Sequence, residues 1–320
     1  MHSRIVAAVD IGGTKVAAAL VNPLTGEILT QRQDPTNTGS PQAFVDGVAG
    51  ALAKVLDQAP SPFPAAIGVG TAGHVDTRTG QLTSLNLRQE NLPLRDLLQE
   101  RFHLPVAVDN DANVGALAEM AYGGARGNGY LAYVAVGTGI GLGLVLEGRL
   151  YNGKANFAGE LGHVTVDYHG SACKCGGRGC LEEIASGSAV VRRAKECVAR
   201  GKATILRELC GGDLNQVTGE LVVEAVKQGD ADVRGVVEEA ACALGYALRS
   251  LINILDLEVI ILGGGFPFAL PQLFLETIRS VVYAENRVNR SHCPVILSEL
   301  GDKSTLLGAA YLAAQQAGIS

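Results

Sequence analysis

The same pattern of an apolar run, a short glycine-rich stretch and a second apolar run occurs in both halves of this 320-residue chain. In the first half the stretch is Asp-Ile-Gly-Gly-Thr-Lys at residues 10–15, and in the second it is Gly-Thr-Gly at residues 137–139. Each pattern predicts two strands joined by a hairpin, whose exposed backbone N–H groups and missing side chains suit a bound anion. A plain hairpin turn explains either pattern alone, but the repetition favours two loops that hold the phosphates of a nucleotide.

Neither hairpin matches the better-known phosphate loops. A Walker A loop needs G-x-x-x-x-G-K-[ST] leading into a helix, and a dinucleotide site needs G-x-G-x-x-G. A third glycine cluster, Gly263-Gly264-Gly265, follows the apolar run 259–262 and suits close approach of the backbone to a base or ribose. A strand-to-helix turn explains this third cluster equally well.

The apolar runs and turn residues predict an α/β protein with βα units in each half, and the length predicts two domains. Strands are predicted at residues 4–11, 15–22, 27–32, 65–70 and 106–108, on both sides of the Gly-Thr-Gly stretch, and at 258–262 and 295–297. Helices are predicted at 40–58 and 94–102, from about 111, over a long region ending near 255, and at 305–316.

Composition narrows the class of protein. The chain has 26 Lys+Arg against 32 Asp+Glu and is 47% hydrophobic, which excludes a largely disordered chain and disfavours a binder of nucleic acid or membrane surfaces. The 20 uncharged residues between Arg126 and Glu147 are long enough to span a bilayer, but their six glycines favour two strands around a turn. Since no signal peptide is visible, we expect a soluble, cytoplasmic protein.

Acidic side chains follow the predicted strand 106–108, where a helix is expected to begin near Asp111. Ligands of α/β proteins bind beyond the carboxyl ends of strands, so an Asp here is placed to accept a hydroxyl proton as a general base. The alternative is that Asp109 or Asp111 caps the helix, which Asp does well. Position alone favours capping, although one of the two residues can cap the helix while the other acts as the general base.

His163, Cys173, Cys175 and Cys180 form a His-x₉-Cys-x-Cys-x₄-Cys arrangement. One imidazole and three thiolates make the tetrahedral shell that Zn²⁺ prefers, and four protein ligands leave a closed, structural site. His169 is the alternative imidazole ligand. A redox pair is disfavoured, because the C-x-C spacing has no thioredoxin-like context. The sequence therefore predicts a structural zinc site.

Together these features resemble the ROK family (repressors, open reading frames and kinases), within the superfamily of sugar kinases and actin-like ATPases. The most specific part is Gly-Glu-Leu-Gly-His at 159–163 followed by Cys-Lys-Cys-Gly-Gly-Arg-Gly-Cys-Leu-Glu at 173–182, which agrees with the family's E-x-G-H and C-x-C-G-x-x-G-C-x-E patterns. The resemblance implies a two-lobed actin-like ATPase (ribonuclease H-like) α/β fold, each lobe a mixed β-sheet flanked by helices, with a cleft between lobes. It implies a small lobe of residues 1–118 plus 305–320 and a large lobe of residues 119–304 with the zinc-binding loop.

The resemblance also implies roles for single residues, with Asp111 as the catalytic base and Asp10 near a metal. Contacts to ATP are implied for Asp10, Gly12, Gly13, Thr14, Lys15, Gly137, Thr138, Gly139, Gly263, Gly264 and Gly265. Contacts to sugar hydroxyls are implied for Asn86, Asn110, Asp111, Glu160, His163 and Glu182. His163 would place one ring nitrogen on zinc and the other on the sugar.

The implied reaction is ATP-dependent phosphorylation of a hexose at its 6-hydroxyl, with Mg²⁺ accompanying ATP and glucose as the expected acceptor. Kinases for fructose, N-acetylmannosamine or N-acetylglucosamine are alternatives, and so is a non-catalytic, sugar-sensing regulator. A purely structural zinc protein leaves the glycine loops unexplained. The sequence departs from the family pattern at Ala72, where Pro is common, and at Asn156, where Gly is usual, and both departures bear on sugar choice.

Partners are implied by the same resemblance. Many family repressors carry a helix-turn-helix before the first phosphate loop, and Asp10 leaves no room for one here, so we expect no nucleic-acid partner and no membrane partner. A homo-oligomer, either a dimer or a tetramer, is expected by analogy.

Overall fold

The computed structural model describes residues 5–59, 63–284 and 292–319, which form a mixed α/β protein. Its strands are β1 (Val6–Ile11), β2 (Lys15–Asn22), β3 (Glu27–Pro35), β4 (Ile67–Thr71), β5 (His74–Asp76), β6 (Gln81–Ser84), β7 (Gln89–Leu92), β8 (Val106–Asn110), β9 (Leu131–Val136), β10 (Ile140–Leu146), β11 (Arg149–Leu150), β12 (Val259–Gly263) and β13 (Val295–Leu297). Its α-helices are α1 (Pro41–Leu56), α2 (Leu94–Phe102), α3 (Asp111–Ala121), α4 (Glu182–Ala185), α5 (Gly187–Ala199), α6 (Thr204–Leu209), α7 (Gly219–Lys227), α8 (Ala231–Leu255), α9 (Gly265–Ala269), α10 (Pro271–Val282) and α11 (Ser304–Gln316). Short 3₁₀ helices occur at Leu161–His163, Leu214–Gln216 and Gly301–Lys303.

The predicted strands and helices are present, with shifted ends. Strand β3 runs on to Pro35 because its pairing with β2 continues as far as Lys15. The sequence does not predict β5, β6 and β7, which form a separate three-stranded sheet. These strands have only three or four residues each, too few to show an alternation of apolar and polar side chains. Arg4, the first residue of the first predicted strand, lies outside the described residues.

The chain divides into two compact units. Unit 1 consists of Met1–Tyr133, Gly143–Gly159 and Ser298–Ser320, and unit 2 consists of Val134–Leu142 and Glu160–Leu297. The predicted lobes, residues 1–118 plus 305–320 and residues 119–304, stay a prediction.

Unit 1 is built on a five-stranded sheet with the order β3-β2-β1-β4-β8. The first three strands are antiparallel neighbours, whereas β1, β4 and β8 are parallel. The register aligns Ile11 with Thr71 and Thr71 with Asn110. The carboxyl ends of β1, β4 and β8 therefore meet at one edge of the sheet, where ligands of α/β proteins bind.

Both faces of this sheet are covered, which explains why β1 is almost continuously apolar. Ala7, Val9 and Ile11 pack in a core with the buried side of α1, whereas Val6 and Ala8 pack in a second core with α11. Helix α1 begins as predicted, since the Ser40 side chain caps it by accepting from the N–H of Ala43. This two-sided burial holds the strand ends in fixed positions.

Unit 2 contains the helices from α4 to α10 and the parallel strands β12 and β13, which pair Ile260 with Val295. The second five-stranded sheet has the order β11-β10-β9-β12-β13, and the boundary between the units passes through β9 and β10. Helix α8 is capped by the Asp230 side chain, which accepts from the N–H of Val233. Among the described residues, no helix combines the length and the apolar character needed to cross a bilayer.

Candidate active site

The carboxyl edge of the unit 1 sheet carries the predicted base and the first glycine hairpin. Strand register aligns Asp10 of β1 with Gly70 of β4, and Gly70 with Asp109 of β8. Asp111 is the first residue of α3, directly after β8. The structure therefore brings Asp10, Asn110 and Asp111 to the same edge of one sheet.

Helix α3 is capped by Asn110, so the expectation that Asp109 or Asp111 is the cap is wrong. The Oδ1 atom of Asn110 accepts from the N–H of Ala112 at 2.9 Å and of Asn113 at 3.4 Å. Its Nδ2 atom donates to the carbonyl of Gly73 at 2.9 Å. Asn is a good N-cap because its short side-chain amide oxygen reaches the unpaired N–H groups of the first helical turn. Asp111, one residue on, is the first residue of the helix, and its Oδ1 accepts from the N–H of Ala112 at 2.8 Å.

Two carboxyl groups at this edge hold protons more tightly than ordinary Asp. Burial raises the pKa of Asp111 to about 6. Burial also raises the pKa of Asp10 to about 7, with the charge of Asp111 adding to the rise and that of Lys15 opposing it. Burial and a neighbouring like charge both disfavour the ionised form. A pKa near 6 suits a general base at neutral pH, because the group is ionised and still accepts a proton readily.

Asp109, the other candidate base, is instead an anchor inside unit 1. Its side chain is buried and accepts from the N–H of Asn110 at 2.7 Å, Nδ2 of Asn113 at 2.8 Å and Nδ2 of Asn152 at 3.3 Å. Burial raises the pKa of Asp109, and these hydrogen bonds lower it. The sequence pattern does not point to Asn152 as a partner, because Asn152 lies 43 residues further along the chain.

The remaining predicted sugar residue of unit 1 is Asn86, which is exposed in the turn between β6 and β7. Asn156, one of the two departures from the family pattern, has a left-handed backbone with φ 58°. Its Oδ1 accepts from the Thr77 hydroxyl at 2.9 Å, and Nδ2 donates to Asp76 at 3.4 Å. Asn thus tolerates the backbone that Gly usually provides and adds two hydrogen bonds.

Near Asn156, the rings of His74 and Phe157 stack with centroids 3.8 Å apart and planes within 1°. Phe157 remains 60% exposed, so one face of the stack is open to solvent.

The first hairpin, residues 12–15, is closed by a hydrogen bond from the N–H of Gly12 to the carbonyl of Lys15 at 2.9 Å. The Thr36 hydroxyl donates to the carbonyl of Gly12 at 2.7 Å, and the Thr36 N–H donates to the carbonyl of Thr14 at 3.0 Å. Gly13, Thr14 and Lys15 are exposed. The carbonyl groups of Gly12, Thr14 and Lys15 are thus hydrogen-bonded within the protein while residues 13–15 face solvent, and the role of this hairpin as an anion-binding turn stays a prediction.

The second hairpin borders a large cavity within unit 2. The cavity has a volume of about 1080 Å³ and is lined by Gly137, Thr138 and Gly265 together with side chains of α5 and α7. Gly264 must be glycine, since its φ is 98° and a Cβ atom would lie 2.1 Å from the carbonyl oxygen of Val136. The structure thus joins the second and third glycine clusters at one cavity that is large enough for a small-molecule ligand.

The charged side chains of this cavity are not among the residues predicted from the sequence. Arg192, Lys195 and Lys227 line it along with Glu196, Glu220 and Glu224. The recurrence of polar residues at helical spacing on α5 and α7 is the signal that points to them, but it equally fits an ordinary solvated face.

The carboxylate of Glu182 is held by other residues of unit 2. Its Oε2 accepts from the N–H of Ile140 at 3.0 Å, and its Oε1 lies 3.1 Å from Nζ of Lys174. Glu160, in contrast, has an exposed side chain that lies 4.0 Å from Nε2 of His163. Of the predicted sugar residues in unit 2, the structure therefore groups Glu160 with His163 and gives Glu182 separate partners.

The predicted metal ligands form one cluster. The ligand atoms of His163, Cys173, Cys175 and Cys180 all lie within 4.8 Å of one another. Nδ1 of His163 is 3.7 Å from Sγ of Cys173, and Sγ of Cys175 is 3.6 Å from Sγ of Cys180. A tetrahedral ion with Zn–S near 2.3 Å and Zn–N near 2.0–2.1 Å requires edges of about 3.6–3.8 Å. His169, the alternative imidazole, is not a member of this cluster among the described residues.

The chemistry of the donors agrees with this geometry. Burial, followed by the neighbouring thiols, raises the pKa of Cys180 to about 12. The N–H of Gly177 and the neighbouring thiols lower the pKa of Cys175, and a bound cation would favour the thiolate form of all three sulfurs. Since Nδ1 of His163 faces the sulfurs, its Nε2 is left on the side of Glu160.

The chain is similar to known proteins over most of its length. A model of the ROK family matches residues 6–316. The glucokinase of Streptomyces coelicolor is 35% identical over 315 residues, which cover 95% of this chain and 96% of that protein. The xylose repressor of Caldicellulosiruptor bescii is 34% identical over 244 residues, 76% of this chain but 60% of the repressor's length.

A solved structure agrees as well. The ROK family glucokinase from Streptomyces griseus in complex with glucose and AMPPNP superimposes with a TM-score of 0.85 at 33% identity, over 97% of this chain and 99% of that chain. The E-x-G-H and C-x-C-G-x-x-G-C-x-E motifs, the mixed α/β fold and a family match over nearly the whole length agree with one another. The chain therefore belongs to the ROK family.

Proposed function

We propose that this protein transfers the γ-phosphoryl group of ATP to the 6-hydroxyl of a hexose, with glucose as the preferred acceptor. The observation that carries the proposal is a partly buried Asp111 at the carboxyl end of β8, with its pKa raised and its helix capped by a neighbouring residue. Support comes from the similarity to glucokinases over almost the full length of both chains.

In the proposed mechanism, Asp111 accepts the proton of the 6-hydroxyl as the sugar oxygen attacks the γ-phosphorus. Asp10, whose pKa is raised beside Asp111, is the carboxylate that would hold a magnesium ion brought in with ATP. When bound, such an ion would neutralise part of the negative charge of the ATP phosphates. The glycine hairpins at 12–15 and 137–139 donate backbone N–H groups to the phosphates, and the cavity beside Gly265 receives the nucleoside.

Sugar recognition is assigned by the proposal to five side chains besides Asp111: Asn86, Asn110, Glu160, His163 and Glu182. Carboxylates accept from sugar hydroxyls, and the Nε2–H group of a metal-bound imidazole donates to a sugar oxygen. A structural zinc ion on His163, Cys173, Cys175 and Cys180 would fix the ring of His163 for this contact.

The test is a coupled kinase assay with MgATP and, in separate reactions, glucose, fructose, N-acetylmannosamine and N-acetylglucosamine. We expect the highest kcat/KM with glucose. Preference for another hexose would keep the protein among the sugar kinases but change its proposed acceptor. A parallel reaction with polyphosphate in place of ATP tests the phosphoryl donor.

The similarity to a xylose repressor favours one second candidate, a regulator that binds sugar without turnover. Calorimetric sugar binding combined with no phosphorylation of any of the four hexoses would select it over the kinase.

A further inference from the structure

The carboxylate of Glu182 connects two separate segments of unit 2. Its Oε2 accepts from the N–H of Ile140, the residue directly after the Gly-Thr-Gly hairpin, at 3.0 Å. Its Oε1 forms an ion pair with Lys174 at 3.1 Å, and the Glu182 side chain is only 13% exposed. Both carboxylate oxygens are therefore engaged by the protein itself.

This contact determines the shape of the hairpin. A Cβ atom on Gly139 would lie 2.4 Å from Oε2 of Glu182, so the carboxylate occupies the space of a side chain at that position. At the other end of the hairpin, the N–H of Gly187 donates to the carbonyl of Gly137 at 2.8 Å. The hairpin is thus held at one end by the first residue of α5 and at the other by Glu182.

Lys174 has a defined place because it lies in the turn between Cys173 and Cys175. This turn is closed by hydrogen bonds from the N–H of Cys173 to the carbonyl of Gly177 at 2.9 Å and from the N–H of Gly176 to the carbonyl of Cys173 at 3.0 Å. Pairing with Lys174 neutralises the Glu182 carboxylate beside a loop that receives phosphate. An unpaired carboxylate there would repel the nucleotide.

We propose that Glu182 is a positioning residue for the nucleotide hairpin and that Lys174 both orients and neutralises it. This role is separate from the contact to sugar hydroxyls assigned above, and it rests on the proposed function only in taking the hairpin as a nucleotide loop. It predicts that changes at these two residues alter nucleotide binding in the absence of any sugar.

The experiment is titration calorimetry of full-length protein with MgADP and no hexose. We expect Glu182→Ala to weaken MgADP binding roughly tenfold, because the N–H of Ile140 loses its acceptor. Lys174→Met should weaken binding several-fold through the exposed negative charge of Glu182. Glu182→Gln keeps an acceptor oxygen without the charge, so it should bind MgADP within about threefold of wild type and should restore binding in the Lys174→Met background.

Matched controls come from an exposed ion pair on α8, Arg234 with Glu238 at 2.7 Å, which does not line the cavity. Glu238→Gln and Arg234→Met should leave MgADP binding unchanged. Thermal melting of every variant separates loss of binding from loss of folding, and if Glu182→Ala fails to fold, the Lys174→Met and double variants decide.

The inference is overturned if Glu182→Ala binds MgADP as wild type does, if Glu182→Gln does not rescue Lys174→Met, or if the wild type does not bind MgADP. None of these results depends on the acceptor sugar. Failure of the proposed function appears separately, as absence of turnover in the hexose assays by a wild-type protein whose MgADP binding follows the predicted series.

Discussion

The two glycine hairpins resemble each other in sequence but are supported in different ways. The hairpin of unit 1 has open space around Gly13, where an added Cβ atom would meet no other atom within 4 Å, and it lies beside carboxylates with raised pKa values. The hairpin of unit 2 is held by Glu182 and by the first residue of α5 and borders a large cavity. Under the proposed function, unit 1 would supply the proton chemistry, whereas unit 2 would supply a shaped receptor for the nucleotide.

The largest effect is expected at the proposed base. Asp111→Asn should lower kcat by about 10²–10⁴-fold, since a positioned general base contributes that much. MgADP binding should change little, because the unit 2 hairpin is untouched. Steady-state kinetics measures this, with Asp46→Asn, an exposed carboxylate of the same unit, as the control. Turnover near the wild-type rate in Asp111→Asn would show that Asp111 of unit 1 is not the general base.

The next largest effect is expected at the cysteine cluster of unit 2. Cys175→Ser should abolish the zinc content, expected at about one ion per chain, and lower kcat/KM for the hexose by tenfold or more through disorder around His163. Elemental analysis and kinetics together measure this. Cys242→Ser alters a half-buried cysteine outside the cluster and should keep both zinc and activity. A wild-type protein purified without zinc would contradict the assignment.

A matched pair of alanine substitutions tests the hairpins directly. Gly139→Ala should displace the Glu182 carboxylate and raise the Kd for MgADP roughly tenfold, whereas an added Cβ atom at Gly13 meets no atom of the protein, so Gly13→Ala should weaken MgADP binding only through direct contact with the phosphates and by less than Gly139→Ala does. Titration calorimetry measures both. Equal effects at the two positions would show that the two hairpins are supported alike.

The pH dependence of kcat/KM should report the carboxylate of unit 1. Because the pKa of Asp111 is raised to about 6, the base is protonated and inactive below that value. At saturating Mg²⁺, which keeps Asp10 ionised, activity should therefore rise with pH, reach half its plateau near pH 6, and at pH 5 be about tenfold below the plateau. Circular dichroism at pH 5 excludes unfolding as the cause. A flat profile down to pH 5 would contradict Asp111 as the base.

The smallest effect concerns stability. The folded-state pKa of Asp10 is about 7, above its ordinary value of 3.8, so the folded protein binds this proton more tightly than the unfolded chain does. Asp10 therefore lowers stability progressively as pH rises from 3.8 to 7, and the full cost applies above pH 7. Asp10→Asn should raise Tm by a few degrees at pH 8 and by less at pH 5, while impairing activity. A lower Tm at pH 8 would contradict the burial argument.

Much of the fold was predictable from local patterns. Helix α2 has the predicted limits of 94–102, because a Pro precedes it and an apolar stripe defines its length. The three-stranded sheet β5-β6-β7 was not predictable, since each strand is too short for a pattern to emerge. The residues predicted to bind metal lie together in the structure, because their short spacing along the chain keeps their side chains close in space.

The candidate site divides in the same way. Asp109 and Asp111 were both candidates because they follow a strand in an α/β chain, and the family resemblance selected Asp111 as the base, a role that stays a prediction. The cap at Asn110 was not predicted, because Asn110 and the two flanking aspartates are all competent caps and only the backbone path selects one. Contact roles for Glu160, His163 and Glu182 with a sugar stay predictions.

The sequence by itself determined the family, the glycine hairpins and the His/Cys cluster, because each depends on residues close together in the chain. Only the tertiary structure decided that Asp109 anchors Asn152, 43 residues away, and that Glu182 anchors Ile140, 42 residues away. A hydrogen bond forms between groups that packing brings within about 3 Å, and spacing along the chain carries no record of that distance.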